Sequence, residues 1–108
     1  MKKVIFSKYV EDLLLESITQ LVEKGYFSEE EYAVVYIREL VTFFSLNLNN
    51  LLSYKSPDFF NKYGTNMKYA MFHKSSRTTW YAFFEETETE YHIKYIGNNH
   101  LIGHYLLV

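Results

Sequence analysis

Apolar side chains recur every three to four residues along the first half of the chain and every two residues along the second half. Over residues 8–24 this repeat leaves acidic and amide side chains on the opposite side, as in an amphipathic helix. The hydroxyl of Ser7 can cap the start of this helix, and Gly25 suits its left-handed end. The pattern predicts a helix over residues 8–24, preceded by a short strand over residues 3–6.

A second helical repeat follows Ser28 and three consecutive glutamates. We expect Ser28 to accept a hydrogen bond from the third helical amide while Glu31 reaches back to the Ser28 amide, which together form a capping box. The apolar repeat continues to about Leu51 or Leu52 and widens after Val41, so both sides of that half should be covered. Because the connection is short, the two helices are predicted to lie antiparallel.

The helical half ends at Pro57, because proline disfavours helical backbone in the residue before it. Residues 58–66 are predicted to be a loop with a turn at Gly64. The apolar period of two then predicts three hairpin-connected strands, over residues 67–73, 78–85 and 91–96. The middle strand is apolar at both alternating sets of positions, which is typical of a central strand with both faces covered.

Alternation along the last predicted strand places its side chains on two faces. One face is expected to carry Tyr91, Ile93 and Tyr95, and the other His92 and Lys94. In the tail that follows, an asparagine at position 98 or 99 can cap a short helix, and the glycine at position 103 argues against a long one.

This order predicts an α+β fold in a single domain over residues 1–108, with a short N-terminal strand, an antiparallel helical hairpin and a three-stranded antiparallel sheet. Without cysteine, neither disulfides nor a thiolate metal cluster is possible. The leading apolar run is too short for a signal peptide and no run suits a membrane span, so we expect a cytoplasmic protein with no membrane partner. The formal net charge of −2 disfavours nucleic acid as the main partner, although basic side chains predominate over residues 54–80.

An RNA-cleaving site needs a general acid or base and cations that hold the scissile phosphate. The side chains with this chemistry are Arg77, His92, Lys94, Tyr95, His100 and Tyr105. Arg77 begins the strand that precedes His92 and Lys94, so one hypothesis is that the three converge on a phosphate-binding patch. An ordinary solvated sheet face is the favoured interpretation, because histidine and lysine are common on exposed strands.

A metal site would start from His100 and His104, which share one side of a helix at ligand spacing. A third ligand is required, and His92 is the obvious candidate. The alternative is a pair of histidines with local hydrogen bonds, and we predict neither a metal nor a cofactor. The four glutamates of residues 85–90 are best explained as a charged hairpin tip.

Three features of the chain resemble the RelE/ParE superfamily of type II toxins. The opening residues 4–8 with Glu11-Asp12-Leu13 are similar to that family's strand, which ends in serine before a helix with an acidic–leucine pair. A helical hairpin of the family's length leads into three antiparallel strands. Residues 95–100 followed by Tyr105 are similar to the family's last strand, then a histidine and a tyrosine five residues later.

The resemblance implies a toxin-like module that an antitoxin neutralises by wrapping the hairpin and the sheet. It implies Arg77, His100 and Tyr105 as the functional residues. After Lys94 the chain has no lysine or arginine, and Leu101 stands where the nuclease members often have an arginine. We therefore expect binding of a target such as a topoisomerase, in gyrase-type inhibition, rather than messenger RNA cleavage at the ribosome.

Apolar and aromatic residues exceed what a small core needs, which indicates a partner surface. The residues expected on it are Phe43, Phe44, Leu46, Leu48, Leu51, Phe59 and Phe60. The same surface would suit a homodimer or a non-catalytic interaction domain, which is the second hypothesis. A ribosome-dependent endonuclease is the third, so whether the protein is an enzyme stays open.

Overall fold

The computed structural model describes residues 1–106 and shows an α+β fold. Its elements in chain order are β1 (Lys3–Phe6), α1 (Lys8–Glu23), α2 (Glu30–Asn47), β2 (Tyr54–Lys55), β3 (Lys68–His73), β4 (Thr79–Glu86), β5 (Glu90–Asn98) and α3 (Asn99–Ile102). Short 3₁₀ turns span Leu48–Asn50, Asp58–Lys62 and Gly103–Tyr105. The predicted α+β class is confirmed. The elements follow the predicted order except that an additional short strand, β2, lies between α2 and β3.

The sheet differs from the predicted one, because it has five strands in the order β1-β5-β4-β3-β2 and is mixed. The strands β3, β4 and β5 form the expected antiparallel meander, and β1 joins it in parallel, with Val4 opposite Tyr91. The side chain of Asn49 holds the residue before β1, because its Oδ1 accepts from the Lys2 amide at 2.8 Å and its Nδ2 donates to the Lys2 carbonyl at 2.9 Å. The strand β2 has two residues, so it is too short to be predicted from an alternation of apolar and polar positions.

Both helices pack on one face of the sheet and build the first core layer. Its fully enclosed members include Val10, Leu40, Phe44, Ala82 and Ile93. The cap predicted for α1 is confirmed, since the Ser7 hydroxyl accepts from the Val10 amide at 3.2 Å. Gly25 has the expected left-handed backbone, with φ of 80°.

The predicted capping box of α2 is wrong. The helix begins at Glu30, so the capping position is Glu29 and not Ser28, and the Glu29 side chain makes no capping hydrogen bond. The helix ends at Asn47, before a 3₁₀ turn. Two acidic side chains in the first turn, Glu30 and Glu31, still complement the helix dipole. Within residues 1–106 no helix combines the length and the hydropathy that crossing a membrane requires.

A second, smaller core layer lies on the opposite face of the sheet. Phe60 from the turn after β2, Phe83 from β4 and Ile102 from α3 are buried there with Met67. Partly buried tyrosines surround them, so the layer is mostly aromatic. Because both faces of β4 are covered, its prediction as a central strand is confirmed.

A β-bulge in β5 changes the predicted faces of that strand. Phe83 lies opposite Tyr95 but Phe84 lies opposite Ile93, so Lys94 is the extra residue. Tyr95 therefore packs in the second layer, while Ile93 packs against the helices. The predicted grouping of Tyr95 with Ile93 is wrong, because the bulge shifts the alternation by one residue.

Most of the predicted partner surface belongs to the core. Phe44, Leu48 and Phe60 are buried. Phe43 stacks on Phe72 with ring centroids 3.8 Å apart, and Leu51 packs against the first layer. Leu46 and Phe59 alone in that set stay exposed, at 64% and 38%. The sheet has five strands and two covered faces, and it uses more apolar surface than the smaller predicted sheet.

Candidate functional site

Two of the predicted functional residues lie together at one end of the sheet. Arg77 lies in the exposed β3–β4 turn, and its carbonyl accepts from Asn99 Nδ2 at 3.2 Å. His100 is the second residue of α3, and its Nε2 lies 3.2 Å from the Thr78 hydroxyl. The Thr79 amide also donates to Asn99 Oδ1 at 2.9 Å. Asn99 thus ties the β3–β4 turn to the start of α3.

The β3–β4 turn and the start of α3 lie side by side because of strand pairing and a local helix cap. Asn98 lies opposite Trp80, so the end of β5 lies beside the start of β4. The Oδ1 of Asn98 accepts from the amides of His100 and Leu101, at 3.0 and 3.2 Å, and so starts α3 at this point. The cap predicted from the sequence is confirmed, whereas the supporting roles of Thr78 and Asn99 were not anticipated.

The third predicted residue, Tyr105, lies on the other side of the sheet. Its ring stacks on Phe59 with centroids 3.6 Å apart and packs edge-on against Phe60 in the second layer. His100 instead lines a cleft beside the helices, together with Tyr36. The structure therefore does not bring Tyr105 to Arg77 and His100.

The predicted convergence of Arg77 with His92 and Lys94 is wrong. His92 lies opposite Glu85, near the far end of β4 from Arg77, which corresponds to a separation on the order of 20 Å along an extended strand. Both side chains also face carboxylates: His92 Nε2 lies 2.9 Å from Glu90, and Lys94 Nζ lies 3.9 Å from Glu85. His92 and Lys94 are therefore engaged with acidic side chains at the opposite end of the sheet.

The cleft that His100 lines has a volume of about 460 Å³ and lies between the tip of the helical hairpin and the sheet. Its aromatic wall consists of Tyr26, Phe27, Tyr36 and Trp80. The indole N–H of Trp80 donates to the Tyr36 hydroxyl at 3.0 Å, and the Phe27 and Tyr36 ring centroids are 5.5 Å apart. Sequence reasoning missed this cleft, although two adjacent aromatic residues directly after a helix-ending glycine are a usable signal.

A larger cleft, of about 690 Å³, lies at the β2 edge of the sheet and contains neither Arg77 nor His100. Lys55, Asp58 and Lys68 line it with small polar side chains and loop backbone. Tyr54 is its one aromatic lining residue, whereas four aromatic side chains line the smaller cleft, and aromatic walls typically orient a small ligand. We therefore favour the smaller cleft on chemical grounds.

The predicted histidine pair for a metal involves His104, whose side chain lies outside the described residues. In the part of the chain that the structure describes, no three His, Cys, Asp or Glu side chains form a group that can hold a metal ion. A lone imidazole such as His100 is not a metal site, because stable sites need three or more ligands.

Three tyrosines stack beside the start of α1 and form a titratable cluster. The ring centroids of Tyr9 and Tyr63 are 5.8 Å apart, and those of Tyr63 and Tyr95 are 4.3 Å apart. Burial, with Tyr95 and Tyr9 adding to it, raises the pKa of Tyr63 to about 12. Burial likewise raises the pKa of Tyr95.

This cluster predicts a loss of stability in alkaline solution. An unfolded tyrosine ionises near pH 10, whereas folded Tyr63 holds its proton to about pH 12. The stabilisation is therefore complete below pH ~10 and falls as the pH rises towards 12. In urea unfolding at pH 9 and pH 11.5, Tyr63→Phe should reduce the pH-dependent loss in free energy of unfolding. Tyr26→Phe, at a side chain that is 70% exposed, is the control, and an unchanged loss in Tyr63→Phe would contradict the prediction.

Arg77, His100, Thr78 and Asn99 thus form the candidate site, next to an aromatic cleft. The likeness to RelE/ParE toxins remains a prediction that rests on the residues quoted for it. No protein-family model matches the chain, and comparisons with curated proteins and with solved structures gave no significant match.

Proposed function

We propose that the protein is a cytoplasmic, toxin-like module of a type II toxin–antitoxin pair that acts by binding a protein target. A topoisomerase, inhibited as in gyrase-type inhibition, is favoured over the ribosome. The observation that carries this preference is the separation of the predicted chemical groups. RNA cleavage needs an acid or base and several cations around one phosphate. Arg77 and His100 lie at the same end of the sheet, where Asn99 Nδ2 donates to the Arg77 carbonyl. Tyr105 packs on the other face, and Lys94 faces the carboxylate of Glu85.

The outer surface of the hairpin supports an antitoxin as the partner. Tyr32, Val35 and Leu46 of α2 are 54%, 51% and 64% exposed. At 3.6 residues per turn they fall within about 60° of each other and form one stripe, which the exposed Glu39 interrupts between Val35 and Leu46. Leu15 of α1 adds a further exposed apolar side chain, at 64%. An amphipathic antitoxin helix recognises such a stripe through apolar anchors at helical spacing.

Growth after induction of the chain in bacteria tests this function. We expect the wild type to arrest growth while cellular messenger RNA stays intact, because the candidate site lacks the groups for cleavage. Arg77→Ala and His100→Ala should keep the arrest or weaken it without altering the RNA. Lys3→Ala, at an exposed lysine on β1, is the matched control.

Two outcomes would contradict the proposal. Arrest with cleaved messenger RNA, both abolished by Arg77→Ala and His100→Ala, would establish the endonuclease hypothesis instead; removing one such group usually costs ~100-fold or more in rate. Failure of the wild type to arrest growth would favour the interaction domain or homodimer.

A further inference from the structure

The geometry points to a second binding activity, which is independent of the protein target proposed above. We infer that the cleft at the hairpin tip binds a nucleoside monophosphate. Its base would stack among the aromatic side chains, and its phosphate would meet Lys24 at the mouth. Nothing in this inference requires toxicity or an antitoxin, so the two proposals can fail separately.

The size of the cleft and its aromatic lining suit one nucleobase. Its volume of about 460 Å³ lies in the lower part of the ~300–1,000 Å³ range of small-molecule sites. Trp80 forms a rigid floor, because it is 4% exposed and its N–H is satisfied by Tyr36. Phe27 lines the side, and Tyr26, which is 70% exposed, stands at the opening. Such aromatic surfaces bind nucleobases by stacking.

Charge decides the class of ligand. Aromatic walls also suit organic cations such as quaternary ammonium groups. Here, however, no carboxylate lines the cleft, and its basic side chains are Lys24 and His100. An anionic ligand is therefore favoured over a cationic one.

Lys24 is the ammonium group available to a phosphate. It is exposed, lines the mouth and makes no ion pair within residues 1–106. Lys74 lies 4.8 Å from the centroid of the Tyr36 ring, but it is held by Glu39 at 3.2 Å. On the opposite wall, the His100 ring and the Thr78 hydroxyl form a donor–acceptor pair of the kind that hydrogen-bonds to a base edge or a ribose.

A single nucleotide fits these features better than a nucleic-acid strand does. Strand binding requires a track of cations along successive phosphates. The cleft offers one ammonium, that of Lys24, which suits one phosphate and not a series of them.

Trp80 makes the inference directly measurable, because it is the single tryptophan of the chain and lines the cleft. The intact protein is titrated with AMP, GMP, CMP and UMP while tryptophan fluorescence is recorded. We expect saturable quenching by at least one of them. The matching nucleoside and inorganic phosphate, each alone, should bind at least tenfold more weakly, since each provides half of the contacts.

Two variants and one matched control test the assignment. Lys24→Gln should raise the Kd of the best nucleotide at least tenfold, and Tyr26→Ala should raise it too, because both side chains lie at the mouth and outside the core. Lys3→Gln, which removes the same charge from an exposed position on β1, should leave the Kd within twofold. Far-ultraviolet circular dichroism verifies that each variant is folded.

Three results would overturn the inference. One is the absence of saturable quenching with all four nucleotides. Another is a Kd for Lys24→Gln equal to that of the wild type. The third is tighter binding of a short single-stranded oligonucleotide than of any monophosphate, which would identify a strand-binding surface instead.

Discussion

Replacing Trp80 with alanine should lower the free energy of unfolding by about 3–5 kcal/mol, the usual cost of removing a buried aromatic side chain. Trp80 is 4% exposed, and its ring packs edge-on against Tyr36 with centroids 6.3 Å apart. The substitution leaves a cavity between the sheet and α2, and the Tyr36 hydroxyl loses its indole donor. Urea unfolding followed by circular dichroism provides the measurement, because the fluorescent residue itself is lost.

Two further variants separate packing from hydrogen bonding at this position. Trp80→Phe keeps much of the ring but not the N–H, and we expect it to cost less than Trp80→Ala. Tyr26→Ala removes an aromatic side chain that is 70% exposed, and should change stability by no more than about 0.5 kcal/mol. A loss below ~1 kcal/mol for Trp80→Ala would show that this ring is not part of the core.

Replacing Phe60 with alanine should cost a similar amount, about 3–5 kcal/mol. Phe60 comes from the short turn after β2, yet it is fully buried and stacks on Phe83 with centroids 4.1 Å apart. It also contacts the rings of Tyr95 and Tyr105. Its removal would open the second layer and expose the aromatic face of the sheet to water. Urea unfolding at neutral pH measures the resulting loss in free energy of unfolding.

The neighbouring residue is a matched control. Phe59 is 38% exposed, stacks on Tyr105 and lies under the Lys62 ammonium, 4.2 Å from its ring centroid. Phe59→Ala should cost less than half as much as Phe60→Ala, since part of its ring already contacts water. Equal losses for the two variants, or a loss below ~1 kcal/mol for Phe60→Ala, would contradict a second core layer held by this turn.

The sequence by itself determined the elements whose signals are local. The apolar period, Ser7 and Gly25 located α1 to within one residue, and the asparagine pair at positions 98 and 99 marked the start of α3. The change of period after Pro57 located β3, β4 and β5 with small differences at their ends. These features depend on backbone preferences and on side chains a few residues apart, which a single chain displays directly.

Among the candidate site residues, local signals identified the side-chain types but not their arrangement. Arg77 and His100 were named from their chemistry and from the family resemblance, and the structure places them at one end of the sheet. The contributions of Thr78 and Asn99 depend on the pairing of β4 with β5. Tyr105 was expected with His100 from the family resemblance, yet the two residues lie on different sides of the sheet.

The tertiary structure alone decided which apolar surfaces pack against each other and which stay exposed. The parallel pairing of β1 with β5, the bulge at Lys94 and the burial of Phe60 by a loop all join segments that are distant in sequence or break the regular alternation. The same is true of the aromatic cleft, where Phe27 meets Trp80. An apolar side chain in the sequence indicates that it will be buried. Which segment buries it depends on how all the apolar surfaces of the chain pack against one another in the folded protein. For that reason the composition indicated a partner surface that includes Phe44 and Leu48, whereas both side chains are buried in the core.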